Sequence, residues 1–290
     1  MAQKKVDELT GVEDTGHEYD GITELNNPLP QWWLTIFYVC VAWALVYTIF
    51  YPAWPMISEN TRGVLGYSTR GEVAERIAAH TEGQAVWRDR IAETELADIR
   101  SDPDLLAFAL ASGAANFALN CSQCHGAGAA GNTGGFPNLN DDDWIWGGDL
   151  DAIYTTISHG VRNEADEDAR LSMMPAFGAE ELLEPAEIVD VAQHVLSLSG
   201  RAEDAAAAER GAVVFEENCA ACHGEEGLGG PELGAPNLAD AIWLYGDQAE
   251  NIVAQVHNPR HGVMPPWIDR LGETAVKELA VYVHSLGGGQ

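Results

Sequence analysis

The motif Cys-x-x-Cys-His occurs twice in this chain, at residues 121–125 and 219–223. Two thiols separated by three positions lie on one face of a helical turn, so both can add to the vinyl groups of one haem. The His that follows is then placed to bind the iron, and the whole pattern is typical of c-type haem attachment. A zinc ribbon is the alternative interpretation, but its cysteine pairs stand much closer together than the 98 positions between these motifs.

The two motifs define the first predicted site residues. We expect two c-type haems, each covalently attached through two cysteines and bound on its proximal side by a His. Bacteria attach c-type haem outside the cytoplasm, so the haem-bearing region of the chain should lie in the periplasm. The predicted attachment residues are Cys121, Cys124, Cys219 and Cys222, and the predicted proximal iron ligands are His125 and His223.

One stretch of the chain is apolar enough to cross a membrane. Residues 25–58 contain no charged side chain, and residues 32–51 would span about 30 Å as a helix, the thickness of a hydrocarbon core. Prolines flank this stretch, and Trp and Tyr stand at its ends as in an interfacial aromatic belt. A cleaved signal peptide is the alternative, but the leader is long and acidic and no A-x-A site follows. We therefore predict an uncleaved single-pass anchor in the bacterial inner membrane, with a cytoplasmic N-terminus.

The chain beyond the anchor contains an internal repeat. Residues 137–139 match residues 236–238, and Trp144 matches Trp243, each pair 99 positions apart. Each copy predicts a helix that enters the haem motif, a Gly-rich loop, a short helix, a Met-bearing loop and an amphipathic last helix. The predicted fold is all-α, with one N-terminal transmembrane helix followed by two tandem cytochrome c-like haem domains. The predicted divisions are an N-terminal cytoplasmic and juxtamembrane segment 1–31, the transmembrane helix 32–51, a connector 52–104, a first cytochrome c domain 105–200 and a second 205–290.

Methionine is the usual distal ligand of electron-transfer haems and raises their potential. Met174 and Met264, each followed by Pro, occupy equivalent places before the last helix of each copy. Pro favours an extended conformation at the preceding residue, which suits a loop that presents a sulfur to iron. We predict these two as the distal ligands, with the adjacent Met173 as a competing candidate. The spacing leaves open whether each Met serves the haem of its own copy or of the other.

Histidine is the alternative distal ligand. His194 and His284 lie on predicted helices, where packing or surface roles are favoured, whereas a bis-His second haem stays open because His257 and His261 precede the Met of that copy. With a protein ligand on both faces of each iron no coordination site is open, which favours electron transfer over substrate chemistry. No catalytic residue is predicted. The histidines that could compete as ligands are His159, His194, His257, His261 and His284.

Two features of the repeat have no assigned chemistry. The first copy carries an insertion at residues 162–170, which we expect to be a solvated loop. Trp144 and Trp243 could pack on the haems or serve as ordinary core aromatics.

The chain is strongly acidic, with 45 Asp and Glu against 15 Lys and Arg and a net charge of −30. This balance argues against nucleic acid as a partner, because phosphate binding needs basic side chains. Two interpretations stay open. The acids could form a docking surface for a basic redox protein, since complementary charge speeds encounter, or they could reflect a saline or alkaline habitat.

Residues 17–33, HEYDGITELNNPLPQWW, carry a family resemblance. They resemble the opening of the diheme subunit III (CcoP/FixP) of cbb3-type cytochrome c oxidases, in which a DGI-x-E-x-x-NP-x-P-x-WW pattern leads into a membrane anchor and two c-haem domains. Residues 66–68 and 174–177 are also similar to that family, and the resemblance covers essentially the whole chain. Asn26 stands where an acid is common and Gln31 where a base is common, departures that concern docking details.

The resemblance implies an electron-transfer subunit of a terminal oxidase. Such a subunit accepts electrons from a donor cytochrome c and relays them through its two haems towards the monohaem subunit and the catalytic, oxygen-reducing subunit. The implied partners are those two subunits, the donor and membrane lipid. The main rival is a membrane-anchored diheme cytochrome c of another respiratory complex. Two rivals of a different class are a diheme peroxidase, which needs one open coordination site, and a haem-based gas sensor.

Overall fold

The computed structural model of the chain describes residues 5–132 and 134–288. These residues form twelve helices and one antiparallel hairpin, so the fold is mainly helical, as predicted. The chain divides into two compact units, one ending at residue 83 and one beginning at residue 84. The elements in chain order are β1 (Asp14–Tyr19), β2 (Ile22–Leu25), α1 (Gln31–Phe50), α2 (Thr69–Glu93), α3 (Leu96–Ile99), α4 (Pro103–Asn120), α5 (Ser122–His125), α6 (Leu150–His159), α7 (Pro185–Leu198), α8 (Ala205–Asn218), α9 (Ala220–His223), α10 (Ala249–His257), α11 (Ile268–Leu271) and α12 (Glu273–His284).

The hairpin of β1 and β2 is a small departure from a purely helical chain. The strands pair antiparallel, with Tyr19 opposite Ile22. Between them Asp20 and Gly21 have φ values of 50° and 83°. A two-residue type I′ turn requires positive φ at both positions, and Asp-Gly is one of the pairs that favours it. This dipeptide is therefore the local sequence signal for the hairpin.

Helix α1 is the helix that the apolar stretch predicts. It spans 20 residues with a mean hydropathy of 2.0, and none of its side chains is buried. Its end is explained by Pro52, because the α conformation is disfavoured before Pro, and Tyr51 is accordingly extended with φ −115° and ψ 161°. At about 30 Å, α1 is long and apolar enough to cross a membrane.

Most of the buried apolar side chains described from residue 84 onward form two core clusters. The first cluster joins the end of α2, α3, α4 and α6 to α12, and the second joins α7 to α8 and α10. The buried members of the first are Ile91, Leu96, Ile99, Leu105, Ala109, Phe117, Ala129, Ile153, Ile157, Val276, Leu279, Ala280, Val281 and Val283. Those of the second are Phe177, Leu183, Ile188, Val191, Ala192, Val195, Leu196, Phe215, Cys219, Ile252 and Val256.

The last helices of the two sequence copies are exchanged. Helix α7, which ends the first copy, packs on α8 and α10 of the second, whereas α12, which ends the second copy, packs on α4 and α6 of the first. Main-chain hydrogen bonds follow the same exchange. Gly178 N donates to His257 O at 3.1 Å, and Trp267 N donates to Ser158 O at 3.1 Å. We call each core cluster with its helices a packing unit. The two packing units do not coincide with the repeat boundaries 105–200 and 205–290, because each combines segments of both copies.

A glycine permits a close helix crossing in each packing unit. A Cβ at Gly113 on α4 would lie 2.5 Å from Glu278 O and 2.6 Å from Tyr282 Cβ on α12. Gly211 on α8 approaches Asp190 O on α7 in the same way. Because any side chain at these positions would separate the helices, the two glycines set the distance at which the exchanged helices pack.

Candidate haem-binding sites

Each haem motif forms one short helical turn directly after a long helix. In the first motif His125 N donates to Cys121 O at 2.9 Å, and Gly126, with φ 81°, ends the turn α5. In the second motif His223 N donates to Cys219 O at 3.0 Å in the turn α9. The cysteines and the His of each motif therefore share a single turn, as the spacing predicts.

The predicted proximal histidines use their Nδ1 atoms within the protein. Nδ1 of His125 lies 3.1 Å from Pro137 O, and Nδ1 of His223 lies 3.1 Å from Pro236 O. Such a bond orients the ring, sets its tautomer and leaves Nε2 for a metal. Burial lowers the pKa of both histidines, against the opposing effect of the carbonyl bonds. The neutral imidazole that binds iron is thus favoured.

The first cysteine of each motif is more buried than the second. Cys121 is half-buried and Cys219 buried, whereas Cys124 and Cys222 are exposed. Burial and the neighbouring thiol raise the pKa of Cys121 and of Cys219 to about 11. Structural zinc takes four protein ligands, but Cys121 packs against the first core cluster and Cys219 belongs to the second. One turn with two cysteines and a His therefore fits a covalently attached haem better than a zinc site shared by the two motifs.

Each predicted distal methionine packs against the core cluster that includes or contacts the first cysteine of the other copy's haem motif. Met264 packs against the first cluster together with Cys121. Met174 packs against the second cluster, which contains Cys219. Met173 is 63% exposed. Each half-buried Met therefore accompanies the haem motif of the copy to which it does not belong in sequence.

Main-chain bonds hold Met264 beside the first copy. Met264 N donates to Val161 O and Val161 N donates to Met264 O, both at 3.0 Å. Gly160, with φ 76°, lies so close to Met264 O that a Cβ at this position would clash. The residues that follow α6 therefore pack closely against the loop that contains Met264.

Three of the remaining histidines have packing or hydrogen-bonding roles. Nδ1 of His159 lies 3.0 Å from a carboxylate oxygen of Asp166. The ring of His194 packs on that of Phe215 with centroids 5.0 Å apart, and His284 is buried within α12. These contacts agree with the structural roles expected for His194 and His284.

Trp144 and Trp243 are both partly buried core aromatics. Trp144 packs against the first cluster and its Nε1 donates to Gly288 O. Trp243 packs against the second cluster and its Nε1 donates to Asp240 O at 3.2 Å. Both indoles therefore brace the loops that follow the haem motifs.

The insertion at residues 162–170 is a solvated loop only in its middle. Its terminal residues Arg162 and Arg170 are partly buried, and their guanidinium carbons lie 6.0 and 5.6 Å from the centre of the Trp146 ring. Arg170 also donates to Thr156 Oγ1 at 2.8 Å. The expectation of a solvated loop is wrong for these two arginines. The sequence feature that could have indicated their partial burial is the presence of a basic residue at each end of an acidic segment.

Comparison with known proteins agrees with this arrangement of motifs and helices. Residues 11–58 match the family model described as the N-terminal domain of cytochrome oxidase-cbb3, FixP. Residues 108–195 and 206–283 match the family model of cytochrome c oxidase, cbb3-type, subunit III. The chain belongs to the subunit III (FixP/CcoP) family of cbb3-type cytochrome c oxidases. The predicted family is therefore confirmed.

Relatives match over nearly the full chain. The cbb3-type cytochrome c oxidase subunit FixP of Sinorhizobium medicae is 53% identical over 99% of this chain and 98% of its own length. The subunit CcoP of Cereibacter sphaeroides is 52% identical over 95% of each chain. The subunit CcoP of Azospirillum brasilense is 52% identical over the whole of both chains.

Family membership confirms the cofactor and the general function. The tandem subunit III haem domains carry two covalently bound c-type haems. A subunit of a cytochrome c oxidase built from such domains is an electron-transfer subunit. The rival assignment to another respiratory complex is therefore not needed.

Proposed function

We propose that one haem is bound between His125 and Met264 and the other between His223 and Met174. The observation that carries this proposal is the packing of each Met against the core cluster that includes or contacts the first cysteine of the other copy's motif. The Nδ1 bonds of the two histidines support it, because they leave Nε2 for iron. A c-type haem ligated by His and Met carries one electron by alternating between ferric and ferrous iron.

In this proposal the chain takes electrons from a donor cytochrome c. It passes them through its two haems towards the monohaem subunit and the catalytic subunit, where oxygen is reduced. Family membership supports the destination. The net charge of −30 supports a basic donor, since complementary charge accelerates encounter.

Helix α1 anchors the proposed subunit in the bacterial inner membrane. Its length and hydropathy support a single span surrounded by lipid. Attachment of haem outside the cytoplasm supports a cytoplasmic N-terminus and periplasmic haem domains. Residues 11–58, which match the FixP N-terminal family model, are the proposed contact with the partner subunits.

The ligand pairing can be tested on a chain with one haem. With Cys121→Ser and Cys124→Ser, only the haem of the second motif remains. Its redox potential should fall on Met174→Leu, because loss of a Met ligand lowers the potential. It should be unchanged on Met264→Leu. Met173→Leu is the matched control and should change nothing. A fall in the redox potential on Met264→Leu and not on Met174→Leu would show that each Met binds the haem of its own copy.

The assignment to a complex can be tested by extraction through a tag on this chain. A mild detergent should recover haem b bands in the reduced-minus-oxidised spectrum, copper, and cyanide-sensitive oxygen uptake. Haem c alone, from a chain that is still intact and anchored, would contradict the proposed partners.

A further inference from the structure

Arg162 contacts the loops of both predicted distal methionines. Its Nε donates to Gly262 O at 2.9 Å, and its Nη1 donates to Ser172 O at 2.9 Å. Gly262 is two residues before Met264, and Ser172 is two residues before Met174. One guanidinium group therefore binds the same position of each loop.

The backbone of Arg162 is held in an unusual conformation. Its φ of 50° lies in the left-handed region, which is unfavourable for a residue with a side chain and persists only where the surrounding structure imposes it. Its N–H donates to Arg170 O at 2.8 Å, and the preceding Val161 is paired with Met264. These bonds aim the side chain of Arg162 away from the solvated middle of the insertion.

Aromatic rings lock the two packing units together around this arginine. Tyr245 lies against Gly135, and Trp146 lies against Gly234, so closely that a Cβ at either glycine would clash. The two rings occupy equivalent positions of the repeat, and so do the two glycines, each pair 99 positions apart. The contact is therefore reciprocal, and Arg162 lies over the Trp146 ring.

The positive charge of Arg162 lies beside the same two methionine loops that its hydrogen bonds hold. Burial lowers the pKa of Arg162, but a guanidinium with an ordinary pKa above about 12 stays protonated. A positive charge favours the reduced state of a nearby haem, since that state carries one positive charge less. Loss of the guanidinium would thus remove both a loop support and a charge beside each Met loop.

We propose that Arg162 is a positioning residue shared by the two haems. It holds both methionine loops through their carbonyl groups, and so it links the ligation and the potential of one haem to those of the other. The proposal rests on the proposed function, in which Met174 and Met264 are the distal ligands.

The test uses the full-length chain with both haems in detergent. On Arg162→Gln, both haem potentials should fall in a spectroelectrochemical titration, and amide hydrogen exchange should accelerate in residues 172–174 and 262–264. Arg170→Gln is the matched control, because the Arg170 guanidinium faces the same Trp146 ring but donates to Thr156 Oγ1 and Ala152 O on α6. Its loop exchange should equal that of the unmodified chain.

Two further sets of variants separate the possible failures. Arg162→Lys keeps the positive charge but loses the planar guanidinium that donates to both carbonyl groups, so amide hydrogen exchange in both methionine loops should stay fast. If Arg162→Lys restores both haem potentials and the slow exchange of the unmodified chain, the positioning role is refuted. Met174→Leu and Met264→Leu should each lower one potential. If they do so while Arg162→Gln lowers only one potential or none, the shared role is refuted and the ligands stand. If neither Met variant shifts a potential, the ligand assignment fails and this proposal falls with it.

Discussion

Phe117 and Tyr282 provide a direct test of the exchanged helices. Their ring centroids lie 5.6 Å apart with a tilt of 56°, and Phe117 is 2% exposed. Aromatic pairs at about 4.5–7 Å contribute about 0.5–1.5 kcal/mol beyond their buried area. His194 on α7 is the counterpart of Tyr282, and its ring packs on Phe215 instead. Without the exchange, Phe117 would face His194.

A double-mutant cycle distinguishes these arrangements. Phe117→Leu and Tyr282→Leu are made singly and together, and the free energy of unfolding is measured by guanidinium denaturation followed by circular dichroism. Each single change should cost about 1 kcal/mol, because Leu keeps most of the volume, and the pair should deviate from additivity by about 1 kcal/mol. The control cycle of Phe117→Leu with His194→Leu should be additive within about 0.5 kcal/mol. Coupling to His194 in place of Tyr282 would refute the exchange.

Two further predictions concern the same helix pair. Gly113→Ala should destabilise the chain by about 2 kcal/mol in thermal unfolding. Overpacking against Tyr282 costs up to about 3 kcal/mol, and the gain in helix propensity offsets about 1 kcal/mol of it. The control is Gly83→Ala on α2, where a Cβ meets open space, and it should stabilise the chain by about 1 kcal/mol. Burial raises the pKa of Glu278 above its ordinary 4.5, so above that pH the folded state holds more protons than the unfolded state and the free energy of unfolding falls as pH rises. Glu278→Gln removes this decline, so its stability relative to the unmodified chain should increase from pH 4.5 towards neutrality. A difference between the two chains that does not change with pH would contradict the argument.

The helices of the repeat are predictable because their ends carry local signals. The amphipathic last helix predicted for the first copy is α7, residues 185–198. Pro185 is at the first turn, and Glu184 and Glu187 form a capping box. Asp204 caps α8 through the N–H of Ala207 at 3.0 Å. Signals of this kind involve neighbouring residues alone, so no tertiary contact is needed to interpret them.

The exchange of helices is harder to predict because α7 and α12 carry the same apolar stripe. Either helix could cover α4 or α8, so periodicity does not choose between the two arrangements. The loop lengths do contain a signal. Six residues, 199–204, join α7 to α8, and a short connection favours antiparallel neighbours. The 25 residues between α6 and α7 allow the chain to cross to the other unit.

The exchange makes each proposed haem site a product of both copies. One copy supplies the attachment motif and the proximal His, and the other supplies the distal Met, so neither copy forms a complete site alone. The same exchange brings both methionine loops to the interface where Arg162 binds their carbonyl groups. The two packing units are connected by this exchange and by reciprocal aromatic–glycine contacts. They therefore cannot move apart as two domains joined by a flexible linker can. The distance between the haem sites is therefore a property of the packed core, and electron transfer between the haems depends on that distance.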